Sequence, residues 1–193
     1  MTVSRKMAVR GGLALLVLLA LIVALRGTHV SADRFVQYAL DRCAMRLAGG
    51  EAADTAGLRE VVAENPLGEA LNAWTEDDAL FLHPTERETG AGVMRGCLVF
   101  LDHDQYTAAL ADDFEGAWRV TFERIGFGLD SHQTADCVDQ AGVLEVTYAS
   151  RAANPEGRHV IAGLIHFGEI DRFMALASEV EETPEPTLGE DCA

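Results

Sequence analysis

Lysine is almost missing from this chain: Lys6 is the only one among 193 residues. Lysine chemistry beyond position 6 is therefore excluded, whether a Schiff base, a P-loop lysine or a Ser–Lys dyad. Other signatures are missing as well. No C-x-x-C occurs, which leaves a thioredoxin-like redox role without support. His83 and Glu86 in "HPTERE" lack the second histidine of H-E-x-x-H, and Ser131 and Ser150 have no G-x-S-x-G setting. "GAGVMRG" leads into a predicted strand and "GFGLDS" follows a predicted helix, whereas a phosphate-binding turn needs a strand before it and a helix after it. No basic stripe with interleaved aromatics is present, and the net charge is −16, so nucleic acid is not an expected partner.

Charge of one sign is also missing from one end. No acidic residue falls in the first 32 positions. Arg5, Lys6 and Arg10 precede Gly11–Leu25, fifteen residues without a polar side chain, and Arg26 closes the run. A membrane-spanning helix needs about 20 apolar residues and a signal h-region about 15, so the length lies between the two. Seven leucines in the run favour a retained anchor, extended over residues 7–26 if Arg10 snorkels. Val30-Ser31-Ala32 favours cleavage instead, with secretion after Ala32. Ser4-Arg5-Lys6 lacks the second arginine of a twin-arginine signal. Positive charge before the run places the remainder outside the cytoplasm, periplasmic if the source is bacterial. The expectation is a single-pass membrane protein with residues 1–32 as signal anchor or signal peptide, 33–182 as one domain and 183–193 as an acidic tail. Eleven of the 15 basic residues and all 31 acidic ones follow position 32, a formal −20 that suits a cationic or envelope protein partner.

Along the domain the hydrophobic period changes. Asp33 can cap a helix with Val36, Leu40, Cys43 and Leu47 on one face, ended by Gly49-Gly50. Thr55 begins a second helical reading through Leu58, Val61 and Val62, stopped at Asn65-Pro66, and Ala70, Leu71 and Trp74 suggest a further turn. "ALFLHP" and "VMRGCLVFL" then read as a hairpin. Asp102 or Asp104 caps the next helix, with Leu110, Phe114, Ala117, Thr121 and Ile125 on one face. "GFGLDSHQTADCVDQAG" reads as a long loop. "GVLEVTYAS" and "RHVIAGLIHF" make a second hairpin about "NPEG", whose Asn, Pro and Gly suit a type I turn. "DRFMALASEV" reads as a last helix. The spacing thus predicts an α+β fold: a four-stranded antiparallel sheet from two β-hairpins, helices packed on one face, preceded by an N-terminal hydrophobic helix.

Four cysteines, Cys43, Cys97, Cys137 and Cys192, all follow the leader. Outside the cytoplasm an even set is expected to pair, and four allow three connectivities. Cys43–Cys97 with Cys137–Cys192 is the pairing expected, because the first two lie on structured faces and the others on a loop and a tail. A zinc site from Cys97, His103, His132 and Cys137 lacks the paired-ligand spacing of structural zinc. "LDHDQ" is the one constellation that invites chemistry: Asp102 and His103, with His132 or His166, could hold a metal or form an acid/base pair. Helix capping by the aspartates explains the same residues more simply. His159 and His166 lie an odd number apart on one strand and point to opposite faces. No cofactor is expected. The reading is a non-catalytic binding or envelope-interaction module held by two disulfides; an exported metal-assisted hydrolase and an acidic inhibitor of a cationic protein are the alternatives.

Overall fold

The computed structural model describes residues 30–90, 92–106, 111–125, 128–139, 142–151, 153–167, 170 and 172–181, with backbone alone at 111–112, 128–139 and 142–151. It opens on a helix, α1, that runs as an α-helix over Ala32–Ala39, a π-turn over Leu40–Ala44 and an α-turn over Met45–Ala48. Ser31 caps it, its hydroxyl accepting from the Arg34 N–H at 3.3 Å. The end is a Schellman motif: the Gly50 N–H bonds to the Leu47 carbonyl and the Glu51 N–H to that of Arg46, both at 2.9 Å, with Gly50 at φ +77°. Phe35, Val36, Ala39, Leu40, Cys43, Ala44 and Leu47 are buried along this helix.

Four strands follow as a meander, β1 (Arg59–Glu64), β2 (Ala70–Thr75), β3 (Leu80–Thr89) and β4 (Gly92–Leu101). A second helix, α2 (Ala111–Arg124), precedes a second meander of β5 (Gly128–Asp139), β6 (Gly142–Arg151), β7 (His159–Phe167) and β8 (Arg172–Val180). The last strands of the two meanders pair antiparallel, Val99 opposite Ala175, giving an eight-stranded sheet in the order β1-β2-β3-β4-β8-β7-β6-β5. The expected four-stranded sheet from two hairpins is therefore corrected to eight strands. Each half is a helix followed by a four-stranded meander.

Three stretches account for the difference. Leu58, Val61 and Val62 fit a helical spacing, but the chain there is a hairpin, Val61 opposite Ala73, turned at Asn65–Glu69. "DRFMALASEV" has helix-forming alanines, yet Phe173, Ala175, Ala177 and Glu179 are buried in strict alternation, the period of a strand. The expected long loop holds β5, opposite Thr147 at His132 and Leu144 at Ala135. The main core joins α1 and α2 to one row of strand residues, among them Leu80, Leu82, Cys97, Val99, Val160, Ala162, Phe173 and Ala175. A smaller core of Ala73, Phe81 and Phe100 lies apart from it, with Val61, Ala63, Leu71, Leu98 and Met174 packed around. Gly96 lies in a tight place between β3 and β8: a Cβ there would lie 2.6 Å from the Thr85 hydroxyl and 3.1 Å from the Ala177 carbonyl, so both would have to shift.

Cys43 and Cys97 form a disulfide that ties the π-turn of α1 to β4 across 54 residues, with Cα atoms 6.0 Å apart. A bridge closing a loop of this length is worth about 2–4 kcal/mol. The Cys137 side chain and Cys192 lie outside the described residues. The single-pass membrane topology, with its transmembrane signal anchor and periplasmic domain, is corrected too. No helix among the described residues is long and apolar enough to cross a membrane, and residues 7–26, on which the topology rested, lie outside them. The secreted alternative, cleavage after Ala32, would cut into the domain. Val30 is 1 % exposed in the main core, its N–H bonded to Gln105 Oε1 at 3.1 Å, and Ser31 is the cap of α1.

Candidate functional site

The residues picked from "LDHDQ" are engaged in local structure. Asp102 caps a 3-10 turn, His103–Gln105, accepting from the Asp104 N–H at 3.2 Å, and its own N–H reaches the Ala79 carbonyl at 3.0 Å. His103 is exposed, and its Nε2 lies 3.4 Å from an Arg172 guanidinium nitrogen. Arg172 also donates to the Pro66 carbonyl at 2.9 Å. His132 belongs to β5, three strands away from β8, about 14 Å at the usual strand spacing. The topology thus does not bring His132 to the Asp102–His103 turn. No group of three or more His, Cys, Asp or Glu able to hold a metal occurs among the described residues.

A buried ionic cluster, absent from the sequence reading, sits at the far end of β8. Glu179 is 1 % exposed. Its carboxylate accepts from the Arg95 N–H at 3.0 Å, Asn154 Nδ2 at 2.9 Å and Arg158 Nη1 at 2.9 Å. Arg95 reaches on to the Gly50 carbonyl at 2.7 Å and to Glu156 at 3.4 Å. Asn154 also donates to the Leu47 carbonyl at 3.3 Å. The cluster ties the end of α1 to β4, to the β6–β7 turn and to β8. Each charge faces an opposite charge or a hydrogen bond, the condition under which buried ions are tolerated. It is a clamp, buried at Glu179 and opening to solvent at Arg95 and Glu156, and its signal was the period-two burial of β8 that carries Glu179 inward.

The exposed chemistry lies in the β1–β2 arm. β2 meets β3 in regular pairing only at Trp74–Leu82; beyond it the His83 Nδ1–H donates to the Asn72 carbonyl at 2.6 Å. One row of the arm, Val61, Ala63, Leu71 and Ala73, covers Phe81 and Phe100. The other row, Glu60, Val62 and Glu64, is exposed, with Val62 at 73 %. Between residues 59 and 78 six carboxylates stand against one guanidinium. Asp77 pairs with Arg34 and Asp78 with Arg59, while Glu69 accepts from Asn65 Nδ2 at 2.9 Å. Burial pushes the Asp77 carboxyl up, but the Arg34 guanidinium and the Ala79 N–H outweigh it and hold the group below the usual carboxylate range. Glu60, Glu64 and Glu76 are exposed and have no ion-pair partner among the described residues.

Two tyrosines show what burial does beside these charges. Tyr106 donates to the Phe173 carbonyl at 2.8 Å and accepts from the Leu101 N–H at 3.2 Å; burial drives its hydroxyl pKa well above the ordinary value. Burial likewise pushes the Tyr38 hydroxyl up to about 12, and that hydroxyl has no hydrogen-bond partner among the described residues. Neither hydroxyl ionises near neutral pH, so neither is poised as a base or nucleophile. Comparison with known proteins found no matching family model, no matching curated protein and no matching solved structure.

Proposed function

We propose that this chain is a non-catalytic binding module that presents the acidic β1–β2 arm to a cationic protein. The observation that carries the reading is the row Glu60, Val62 and Glu64, which stands exposed on an arm fixed to the sheet by its opposite row. Carboxylates without intramolecular cations keep their field available to a partner, and that field speeds and orients encounter more than it adds affinity. The surrounding charge, −16 over the chain, acts in the same direction. Asp102 and His103 serve a turn and an arginine contact, and no observation favours the metal-assisted hydrolase.

The test uses lysozyme as a defined cationic probe, titrated against the full chain. Binding is expected at low ionic strength and weakens steeply toward about 0.2 M salt, where exposed charges are screened within about 8 Å. Glu60→Lys/Glu64→Lys/Glu76→Lys is expected to abolish it. Binding indifferent to that triple reversal, or no binding at low salt, would sink the reading.

A further inference from the structure

The arm has an open backbone as well as an open charge. β1 is the first strand in the sheet order and pairs with β2 alone. Among the described residues no backbone or side-chain group bonds the N–H and C=O groups along its outer side. A strand in this state is a template for another strand, and proteins that leave such an edge unused shorten it, bulge it, cover it or set charges along it. Glu60 and Glu64 act in that last way against any strand that carries no cation. β1 has six residues in unbroken register with β2, from Arg59 opposite Thr75 to Glu64 opposite Ala70. Its position is set by Val61 and Ala63 packing beside Phe81 and Phe100, so the edge is preorganised.

We infer that β1 is a docking edge to which an extended cationic segment of a partner protein adds as a further strand. The inference rests on the reading of the arm as a cation-binding surface and specifies how the partner sits. Glu60, Val62 and Glu64 share one face, about 7 Å between successive members. A partner strand with Lys or Arg, an apolar residue, then Lys or Arg at alternate positions sets each cation opposite a carboxylate and the apolar side chain opposite Val62. Backbone hydrogen bonds supply affinity and the alternating row supplies selectivity. Charge tells against a second copy of this chain: antiparallel pairing centred on Val62 would put Glu60 of each copy directly opposite Glu64 of the other.

The probe is a labelled peptide, Thr-Lys-Thr-Val-Thr-Lys-Thr, with two backbone-methylated versions. One is N-methylated at the Lys and Val positions and the other at the inner Thr positions, with all charges unchanged. In any strand one of these two sets of N–H groups faces the neighbour. The unmodified peptide is expected to bind the full chain and to slow amide hydrogen exchange within residues 59–64. One methylated peptide is expected to lose at least about tenfold in affinity, or about 1.4 kcal/mol, while the other binds nearly as before. Equal binding of all three peptides, or binding without slowed exchange in β1, overturns the edge-docking inference and leaves the acidic binding module standing, provided lysozyme still binds and the triple reversal still abolishes it. Concentration-dependent slowing in β1 without peptide would mean a second copy occupies the edge and would also overturn it. If neither lysozyme nor peptide binds, both readings fall together.

Discussion

Two five-residue turns, Asn65-Pro66-Leu67-Gly68-Glu69 and Asn154-Pro155-Glu156-Gly157-Arg158, are built alike, each with its asparagine buried, and differ in what the asparagine amide reaches. In each, the first N–H meets the fifth carbonyl, at 2.9 and 2.6 Å, and the glycine N–H returns to the asparagine carbonyl at 2.9 Å. In each, the asparagine Oδ1 accepts two N–H groups, from the third and fifth residues, at 2.9 Å in the first turn and 3.0 Å in the second. Gly68 and Gly157 take φ +82° and +80°. Proline at the second position and glycine at the fourth make this a local solution, a type I turn with a glycine bulge. The difference lies in the remaining amide. Asn65 Nδ2 meets Glu69 within its own turn, whereas Asn154 Nδ2 reaches Leu47 and buried Glu179 from distant parts of the chain. One turn caps an exposed acidic arm; the other is a member of the clamp. The same local chemistry therefore serves a turn whose Pro66 carbonyl accepts from Arg172 of β8 and a turn whose asparagine side chain joins a buried ionic cluster.

The comparison is broken most severely by Glu179→Ala. It strips the junction of its buried anion and leaves Arg95 and Arg158 with the half-exposed Glu156 as their remaining carboxylate and Asn154 with the Leu47 carbonyl. A loss of about 3–5 kcal/mol is expected in urea unfolding, as for other buried pairs cut on one side. A cost under about 1 kcal/mol would show that the cluster is not the clamp described. Next come Asn154→Ala and Asn65→Ala, measured side by side. The first removes bonds to a buried carboxylate and to a distant carbonyl and should cost about 2–3 kcal/mol; the second removes bonds within one turn and should cost about 1 kcal/mol. Equal values would erase the distinction. The smallest effects belong to Gly68→Ala and Gly157→Ala. No atom lies within 4 Å of an added Cβ at either position, so backbone strain alone remains. Both should cost about 1 kcal/mol and agree with each other, because the strain is local and the same. A large excess at Gly157 would mean that the junction, and not the turn, sets its conformation.

The legible parts of the fold were those with local causes. Gly49-Gly50 ended α1 where expected, and the Schellman bonds explain why glycine is needed there. Asn154–Gly157 was read as a turn because a hairpin pattern flanked it. The same motif at Asn65–Gly68 was read as a helix stop, since Leu58, Val61 and Val62 happen to fall at helical spacing. Six residues are too few for periodicity to separate a strand from a helix. β8 was misread for a related reason: Ala175 and Ala177 favour a helix in isolation, but small side chains are what the crowded row beneath α1 admits. At the site, the acidity of residues 59–78 was visible and its arrangement was not. A row of Glu60, Val62 and Glu64 exists only once the stretch is a strand.

By itself, then, the sequence determined the glycine stop of α1, the Asn154–Gly157 turn, the apolar faces of α1 and α2, the acidity of the domain and the absence of lysine chemistry beyond position 6. Each depends on residues a few positions apart or on composition. The expected caps Asp33 and Thr55, by contrast, gave way to Ser31 and to a strand. Only the tertiary structure decided that two meanders join at β4 and β8, that Glu179 is buried among Arg95, Asn154 and Arg158, and that β1 ends the sheet with one side unpaired. Those outcomes depend on which strands become neighbours. That choice is made by long-range pairing and close packing, to which no local sequence window has access.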